Sequence, residues 1–516
     1  MGEENMAVKV TPRGYEVEHD AAATAGVVTV GRIWLSSREH PKLKRLCLSF
    51  ALFKLLRRRF ENVPAMTKEE TDDCRDLIFD GLCGNAAAAA TDGLTAEVAL
   101  FQVLKDEVTF LTEYYHSIIP VMLASPYFFV VNYLFWPVVV LAFCIMTIVL
   151  CGNGGILYAF KSIWTDNSIL SISMSSMIRC LSNNAVSNSK MFYTFIDVSL
   201  CYLLFVAVIY EEASEIVVFL VSNWFVVSLL CTDAADPKCR RNPSFHAAFR
   251  CVLWFSGHLR RYPSVITIKQ LSVLGGSRIS TALTLPTAKL PKRAKRSILK
   301  RLRAGAPLTN GRAALSNPEE PRFSSLAWAC ESKSGGVAEV IIVWHIATSL
   351  LETKLRSTPR ADQERERGSG GGGSRKTAER LSRYCAYLVT FRPELLPDDR
   401  EATELIYGDM KEQIEAALSC SSWYPSSEWA RHDKRGAVLG KVLADEADRD
   451  GGAAVWKMLA NLWVELVVYV APSSTAEQDK GHERALVQGV ELITLLWALA
   501  AHTGLTTSPD DHHPSV

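Results

Sequence analysis

Residues 191–232, MFYTFIDVSLCYLLFVAVIY-EEASE-IVVFLVSNWFVVSLLCT, constrain the fold more than any other stretch of the chain. Two apolar runs flank a five-residue acidic segment, Glu211 to Glu215. The second run, Ile216 to Thr232, carries no charge, and the first carries only Asp197. Each has roughly 17–20 residues, close to what a helix needs to cross a bilayer core of about 30 Å. The pattern predicts a transmembrane hairpin with the acidic residues as its turn. Two helices buried in a large soluble core share the composition, but so short a polar turn between them suits a hairpin better.

Upstream, residues 117–160 contain no charge at all. This stretch holds one long tilted crossing or two shorter ones, and Pro120, Pro126 and Pro137 oppose a single straight helix. Charge distribution then orients the chain. Residues 237–318 contain 17 Lys or Arg and no Asp or Glu, which places them on the cytosolic side. A second basic region, PKLKRLCLSFALFKLLRRRF from Pro41, shares that side only if 117–160 crosses twice. Three or four spans are therefore expected, four being the reading that satisfies both basic regions. The helix from Pro41 suits either the membrane surface, apolar side among the headgroups, or packing against other helices.

The expected architecture is all-α: a transmembrane helical segment followed by a cytosolic all-α C-terminal domain. Residues 1–40 form a polar, disordered lead-in with no signal peptide, and 41–116 a helical, membrane-peripheral segment. The transmembrane region covers 117–232 and a basic cytosolic stretch 233–323. A C-terminal helical domain follows at 324–505, interrupted by a Gly-rich linker at 358–378, with a disordered tail at 506–516. Within that domain, apolar periodicity predicts helices at 337–353, at 453–471 and at 482–503. Thr95 is a candidate N-cap for a helix carrying Val98, Phe101, Leu104, Val108 and Leu111 on one face.

The basic stretch peaks at PKRAKRSILKRLR, with Lys292, Arg293, Lys295, Arg296, Lys300, Arg301 and Arg303. Beside membrane spans, attraction to the anionic cytosolic leaflet explains it more economically than nucleic acid does, at about 1 kcal/mol per basic residue near the surface. Lipid is thus the expected partner, with an unknown protein partner for the helical domain.

No motif for chemistry stands out, and no cofactor is called for. Gly436-Ala-Val-Leu-Gly440-Lys441-Val442 has three residues between its glycines where a phosphate loop has four, and Val where Ser or Thr would meet magnesium. The 13 cysteines are scattered singly, with no CxxC pair to suggest zinc or a disulfide framework. His482-Glu483 reads as a solvated first turn of a helix. His345, Glu491 and His502 are the remaining candidates for a polar cluster, Glu491 and His502 sharing one face of the last predicted helix. A non-enzymatic membrane-anchored scaffold or interaction protein is the leading functional reading. The alternative is a transporter or membrane-embedded enzyme with its site between helices, and the runs 117–160 and 216–232 lack the ionisable residues such pathways use.

Several ordered segments carry a family resemblance: LCLSFALFKLLRRRF, EYYHSIIPVMLASPYFFVVNYLFWPVVV, IDVSLCYLLFVAVIYEEASEIVVFLVSNWFVVSLL, VIIVWHIATSLLET and WVELVVYVAPSSTAEQDKGHERALVQGVELITLLWALAAHTG. In this order they resemble a plant membrane-protein family carrying domain of unknown function 4220 followed by domain of unknown function 594. The resemblance implies a multi-pass membrane protein with a cytosolic helical domain and no established biochemical activity. It also implies further apolar spans upstream of LCLSFALFKLLRRRF, where this sequence has a polar lead-in, and it marks residues 368–374 as a local insertion.

Overall fold

The computed structural model describes, apart from isolated positions, residues 41–61, 67–82, 96–124, 189–235, 242–259, 265–272, 285–332, 336–356, 371–408, 434–472 and 475–505, together with 8–11, 14–17 and a few positions between 131 and 183. Most of the expected crossing region at 117–160 lies outside them, as do residues 357–370 of the linker and the tail from 506. The described chain is predominantly helical and divides into two units. One comprises residues 1–112 with 262–516, the other 113–261.

The first unit is discontinuous in sequence. Its N-terminal part begins with a short antiparallel hairpin, β1 (Val8–Thr11) and β2 (Gly14–Val17), within the stretch expected to be disordered. The alternating Val-Lys-Val-Thr accounts for the first strand. Helices α1 (Pro41–Phe60), α2 (Lys68–Asp76) and α3 (Ala96–His116) follow. Thr67 closes a capping box on α2: its side chain accepts from the Glu70 N–H while the Glu70 carboxylate accepts from the Thr67 N–H.

The basic helix at Pro41 packs against protein. Leu43, Leu46, Leu48, Leu52, Phe53 and Leu56 are all buried. Its charges meet acids from other elements, Arg45 with Asp106 at 3.1 Å and Arg58 with Glu70 at 3.1 Å. On α3, Phe101, Leu104, Val108 and Leu111 face inward as the periodicity predicts, joined by the charged Glu97 and Glu107.

The rest of the first unit lies beyond residue 261. Strands β3 (Thr267–Lys269) and β4 (Thr287–Lys289) pair antiparallel. After them come α8 (Lys292–Arg303), the short α9 (Arg312–Leu315), a 3-10 segment Pro321–Cys330, α10 (Val337–Arg356) and α11 (Gly371–Phe391). The last four helices are α12 (Lys434–Asp450), α13 (Ala453–Val470), α14 (Ala476–Val487) and α15 (Leu492–Thr503). Helices α4 to α7 lie in the second unit. Helix α10 is a core element, with Val340, Ile341, Trp344, Ala347 and Leu351 at most 1% exposed. The Asp398 carboxylate caps its first turn, accepting from Val337 N at 2.8 Å and Ala338 N at 2.7 Å.

Two boundaries differ from the pattern expected of the sequence. Helix α11 starts inside the glycine run, because packing outweighs glycine's poor propensity. Ser374, Thr377 and Ala378 are buried, and the Arg375 guanidinium lies 5.4 Å from the Trp456 ring centroid. The predicted helix 482–503 is two helices. Glu491 adopts an extended conformation (φ −86°, ψ 151°) as the N-cap residue of α15, two positions after Gly489 in sequence.

The GAVLGK stretch has a packing role. On α12, a Cβ at Gly436 would lie 3.0 Å from Ile346 Cβ, and one at Gly440 would lie 2.9 Å from Leu350 Cδ1 and 3.4 Å from Ala347 Cα. The two glycines, four apart, let α12 press onto α10. Gly440→Leu should therefore destabilise the unit by about 1–3 kcal/mol through overpacking. Val438→Ala, at a surface position on the same helix, should leave the melting temperature of the detergent-solubilised chain unchanged.

The second unit contains α4 (Ile119–Ala124), α5 (Ser189–Val221), α6 (Asn223–Ala235) and α7 (Pro243–Leu259). Here the acidic hairpin turn is corrected. Helix α5 runs without interruption through Glu211–Glu215, because Glu and Ala are strong helix formers and no Gly or Pro interrupts them. The break falls instead at Ser222, whose side chain accepts from Phe225 N at 3.1 Å and so caps α6. Phe219 and Ile119 are buried there, with Leu123, Leu220, Trp224 and Phe225 packed around them.

Along α5, Phe192, Tyr193, Leu200, Leu203, Tyr210, Val217 and Val218 are exposed. At 100° per residue these positions fall within about a third of the helix circumference. Phe192, Tyr193, Leu200, Leu203 and Tyr210 form an apolar stripe, and Val217 and Val218 lie on the same side beyond the exposed Glu211.

Candidate functional site

The structure gives His345, Glu491 and His502 separate settings. His345, on α10, is buried with Nδ1 2.8 Å from the Ser382 hydroxyl of α11. Burial first, and then the charge of the nearby Arg383 guanidinium, push its pKa down to about 3. Arg383 in turn donates to both carboxylate oxygens of Glu352 at 2.6 Å. Glu491 and His502 stand at opposite ends of α15, eleven residues and so about 16 Å apart along its axis.

Glu491 belongs to a polar group at the start of α15. The Tyr387 hydroxyl donates to its Oε1 at 2.9 Å, while Lys269 Nζ lies 3.3 Å from that hydroxyl and 3.8 Å from Glu491. Arg392 Nε also points to the Tyr387 oxygen, at 3.4 Å. Beside it, the Tyr384 hydroxyl accepts from Ile493 N at 3.0 Å, taking up one of the free N–H groups of the first turn. Burial raises the Tyr384 and Tyr387 pKa values, and the Glu491 charge adds to the effect, so both hydroxyls stay protonated over the physiological range.

His502 meets an unanticipated partner. Its Nε2 lies 2.6 Å from Glu107 Oε1, across 395 positions of sequence, and both side chains have no solvent exposure. Among the described residues, Glu107 Oε2 and His502 Nδ1 meet no hydrogen-bond partner. The pair ties α3 to α15.

His482 also departs from expectation. Helix α14 begins at Ala476, six residues earlier than the His-Glu pair, so His482 lies in its interior. Gly481 approaches so closely that a Cβ there would fall 2.6 Å from the Glu394 carbonyl oxygen. That approach buries the following residue. His482 stacks on Trp497 at 4.7 Å between centroids and 20° between planes, and neither ring nitrogen meets a partner among the described residues. Trp497 Nε1 donates to Asp479 Oδ1 at 3.2 Å, and Asp479 pairs with Arg59 of α1 at 3.3 Å. Phe60 packs on the same indole at 5.5 Å.

Desolvation, with Arg59 nearby, lowers the His482 pKa to about 3 from 6.5. The folded state therefore holds His482 neutral. Its contribution to stability is complete above pH 6.5 and is lost as pH falls from there toward 3, where the unfolded chain binds a proton that the folded chain does not. At pH 5 the loss is about 2 kcal/mol from this residue. His482→Phe, which keeps a ring on Trp497, should flatten the stability–pH profile between pH 6.5 and 4 by close to one proton, read from denaturant midpoints. An unchanged slope would contradict the neutral, buried state.

The basic helix α8 divides its residues between two faces. Ala294, Ile298 and Leu302 face the interior with Lys295, whose ammonium lies 5.6 Å from the Phe101 ring centroid and whose pKa burial lowers. Arg296 pairs with Glu97 at 2.8 Å, Arg303 with Asp80 at 2.9 Å, and Arg301 donates to the Pro307 carbonyl at 2.8 Å. Lys292, Arg293 and Lys300 are exposed. Arg301 also lies 3.6 Å from Glu465 of α13, whose buried carboxylate accepts from Thr309 Oγ1 and from Ala314 N at 2.6 Å.

Sequence periodicity marks each buried stripe but carries no signal for Glu107, His482 or Glu465. Each takes its place from a partner far away in the chain. Among the described residues, no three His, Cys, Asp or Glu side chains converge to hold a metal ion. Among the described residues one helix, Ala453–Val470, is long and apolar enough to cross a membrane, and 78% of it is buried inside the protein. The family model of a domain of unknown function, DUF4220, matches residues 4–276, more than half of the chain, and that of a protein of unknown function, DUF594, matches residues 448–505. No curated protein and no solved structure matches the chain.

Proposed function

Since the chain belongs to the DUF4220 family and carries a DUF594 segment behind that domain, we propose that it is a membrane-anchored, non-enzymatic scaffold in which both segments build one interaction unit. The supporting observation is the exposed apolar stripe of α5. From Tyr193 to Tyr210 it covers about 26 Å at 1.5 Å per residue, close to the thickness of a hydrocarbon core. Aromatic rings stand at both ends, where the headgroup region favours them. Lys190 precedes the stripe, and Glu211 follows it.

In this reading the second unit anchors the chain and the helical unit faces the cytosol. The exposed Lys292, Arg293 and Lys300 of α8 add attraction to an anionic leaflet by charge alone, since the apolar face of that helix is used inside the unit. The polar links between helices, among them the buried Glu107–His502 pair and the Tyr387–Glu491 bond, suit a rigid binding platform for a protein partner.

Alkaline carbonate extraction of membranes from expressing cells tests the anchor. The full-length chain should stay in the pellet, and release into the supernatant would overturn the reading. The charge-reversed variant Lys292→Glu/Arg293→Glu/Lys300→Glu should also remain in the pellet.

A further inference from the structure

We infer that residues 113–261 are an insertion into a split helical domain, so the chain enters and leaves the membrane on the same side and crosses it an even number of times. The inference rests on the membrane anchoring proposed above, but its basis is the first unit. Residues 1–112 and 262–516 fold together. Four separate polar links join their two halves: Glu107 with His502, Glu97 with Arg296, Asp80 with Arg303, and Arg59 with Asp479. Phe60 against Trp497, and Lys295 above Phe101, add apolar and cation–π contacts between them.

A body joined in this way cannot have its two halves on opposite faces of a bilayer. Its own longest apolar helix, α13, does not supply a hidden crossing. That helix is covered by protein over 78% of its length and holds the buried Glu465, which binds Thr309, Ala314 and Arg301. Lipid around α13 would require removing those partners.

The chain therefore leaves this body once, near residue 112, and returns once, near residue 262. Any crossings lie between those points, and their number is two or four. Three is excluded. Helix α6, with 13 residues, extends about 20 Å and is too short to return alone across a core of about 30 Å. A crossing by α5 is therefore paired with one from the region upstream of it or from a longer segment following Ser222. The same reasoning puts the N-terminal helices α1 and α2 in the compartment that holds the C-terminal helices. That assignment does not use the positive-inside rule.

The test uses the full chain in sealed microsomes with the cytosolic face outward. One protease recognition site is inserted after Glu61 and another, in a second variant, between residues 360 and 370. Both variants should be cut without detergent, and the fragments should copurify after solubilisation in mild detergent. Cleavage of one variant with protection of the other would establish an odd number of crossings and overturn the inference. Protection of both would keep the even count while inverting the proposed orientation. Carbonate extraction of the same preparations separates the two ideas: release at high pH refutes anchoring itself, whereas a pelleted protein with sites on opposite faces refutes only the even count.

Discussion

A fragment of residues 324–516, expressed alone, should fail to melt as one cooperative unit, whereas residues 41–112 co-expressed with 262–516 should associate and do so. By periodicity the fragment looks self-sufficient, since its apolar helices offer faces to one another. The structure shows what it lacks. Without α3, the fully buried His502 has no Glu107. Without α1, Trp497 loses Phe60 and Asp479 loses Arg59. Without residues 262–323, Glu465 loses Arg301, Thr309 and the Ala314 N–H. Helix α15, buried at every position from Leu492 to Ala500, would present an apolar face to water. Circular dichroism during heating, together with binding of a hydrophobic dye, reads the result. A sharp transition for 324–516 at the midpoint of the co-expressed pair would show that the N-terminal helices are dispensable.

Glu107→Ala should destabilise the helical unit by about 3–5 kcal/mol, among the largest effects expected of a single substitution, because it leaves His502 buried without its partner. His502→Ala should have a similar cost, and the double variant should cost much less than the sum of the two. Replacing both by leucine removes the buried polar groups altogether and should come close to wild-type stability. Denaturant midpoints of the four variants form the cycle. Additive losses would mean that each residue acts through contacts other than the 2.6 Å bond between them. Glu97→Ala, which removes a partner from the largely exposed Arg296, is the useful contrast and should cost under about 1 kcal/mol.

The sequence reveals elements better than their meetings. The runs at 337–353 and 453–471 are helices because their apolar residues recur at helical spacing, and no Gly or Pro intervenes. The acidic Glu211–Glu215 segment misleads because charge between two apolar runs suggests a turn, whereas local propensity favours helix, and propensity prevails. The glycines at 371–373 mislead in the opposite sense: burial of Ser374, Thr377 and Ala378 supplies what the backbone lacks. Among the candidate polar residues, spacing alone puts Glu491 and His502 on one helix. It cannot show that they serve its two ends, because their partners Tyr387 and Glu107 are 104 and 395 positions away. Of the basic run Lys292–Arg303, Lys292, Arg293 and Lys300 are exposed, whereas the buried Lys295 and the paired Arg301 answer to neighbours that no composition argument contains.

The bond between α3 and α15 also fixes an order of events in time. A ribosome moving at roughly 5–20 residues per second needs on the order of 20–80 s to travel from Glu107 to His502. During that interval α1 and α3 have each other, through Phe50 and Phe53 on Phe110, but the Glu107 carboxylate has no His502. Completion of the helical unit is therefore post-translational. A stop codon anywhere before residue 492 would leave Glu107 buried without its partner, so truncated products should be cleared rapidly.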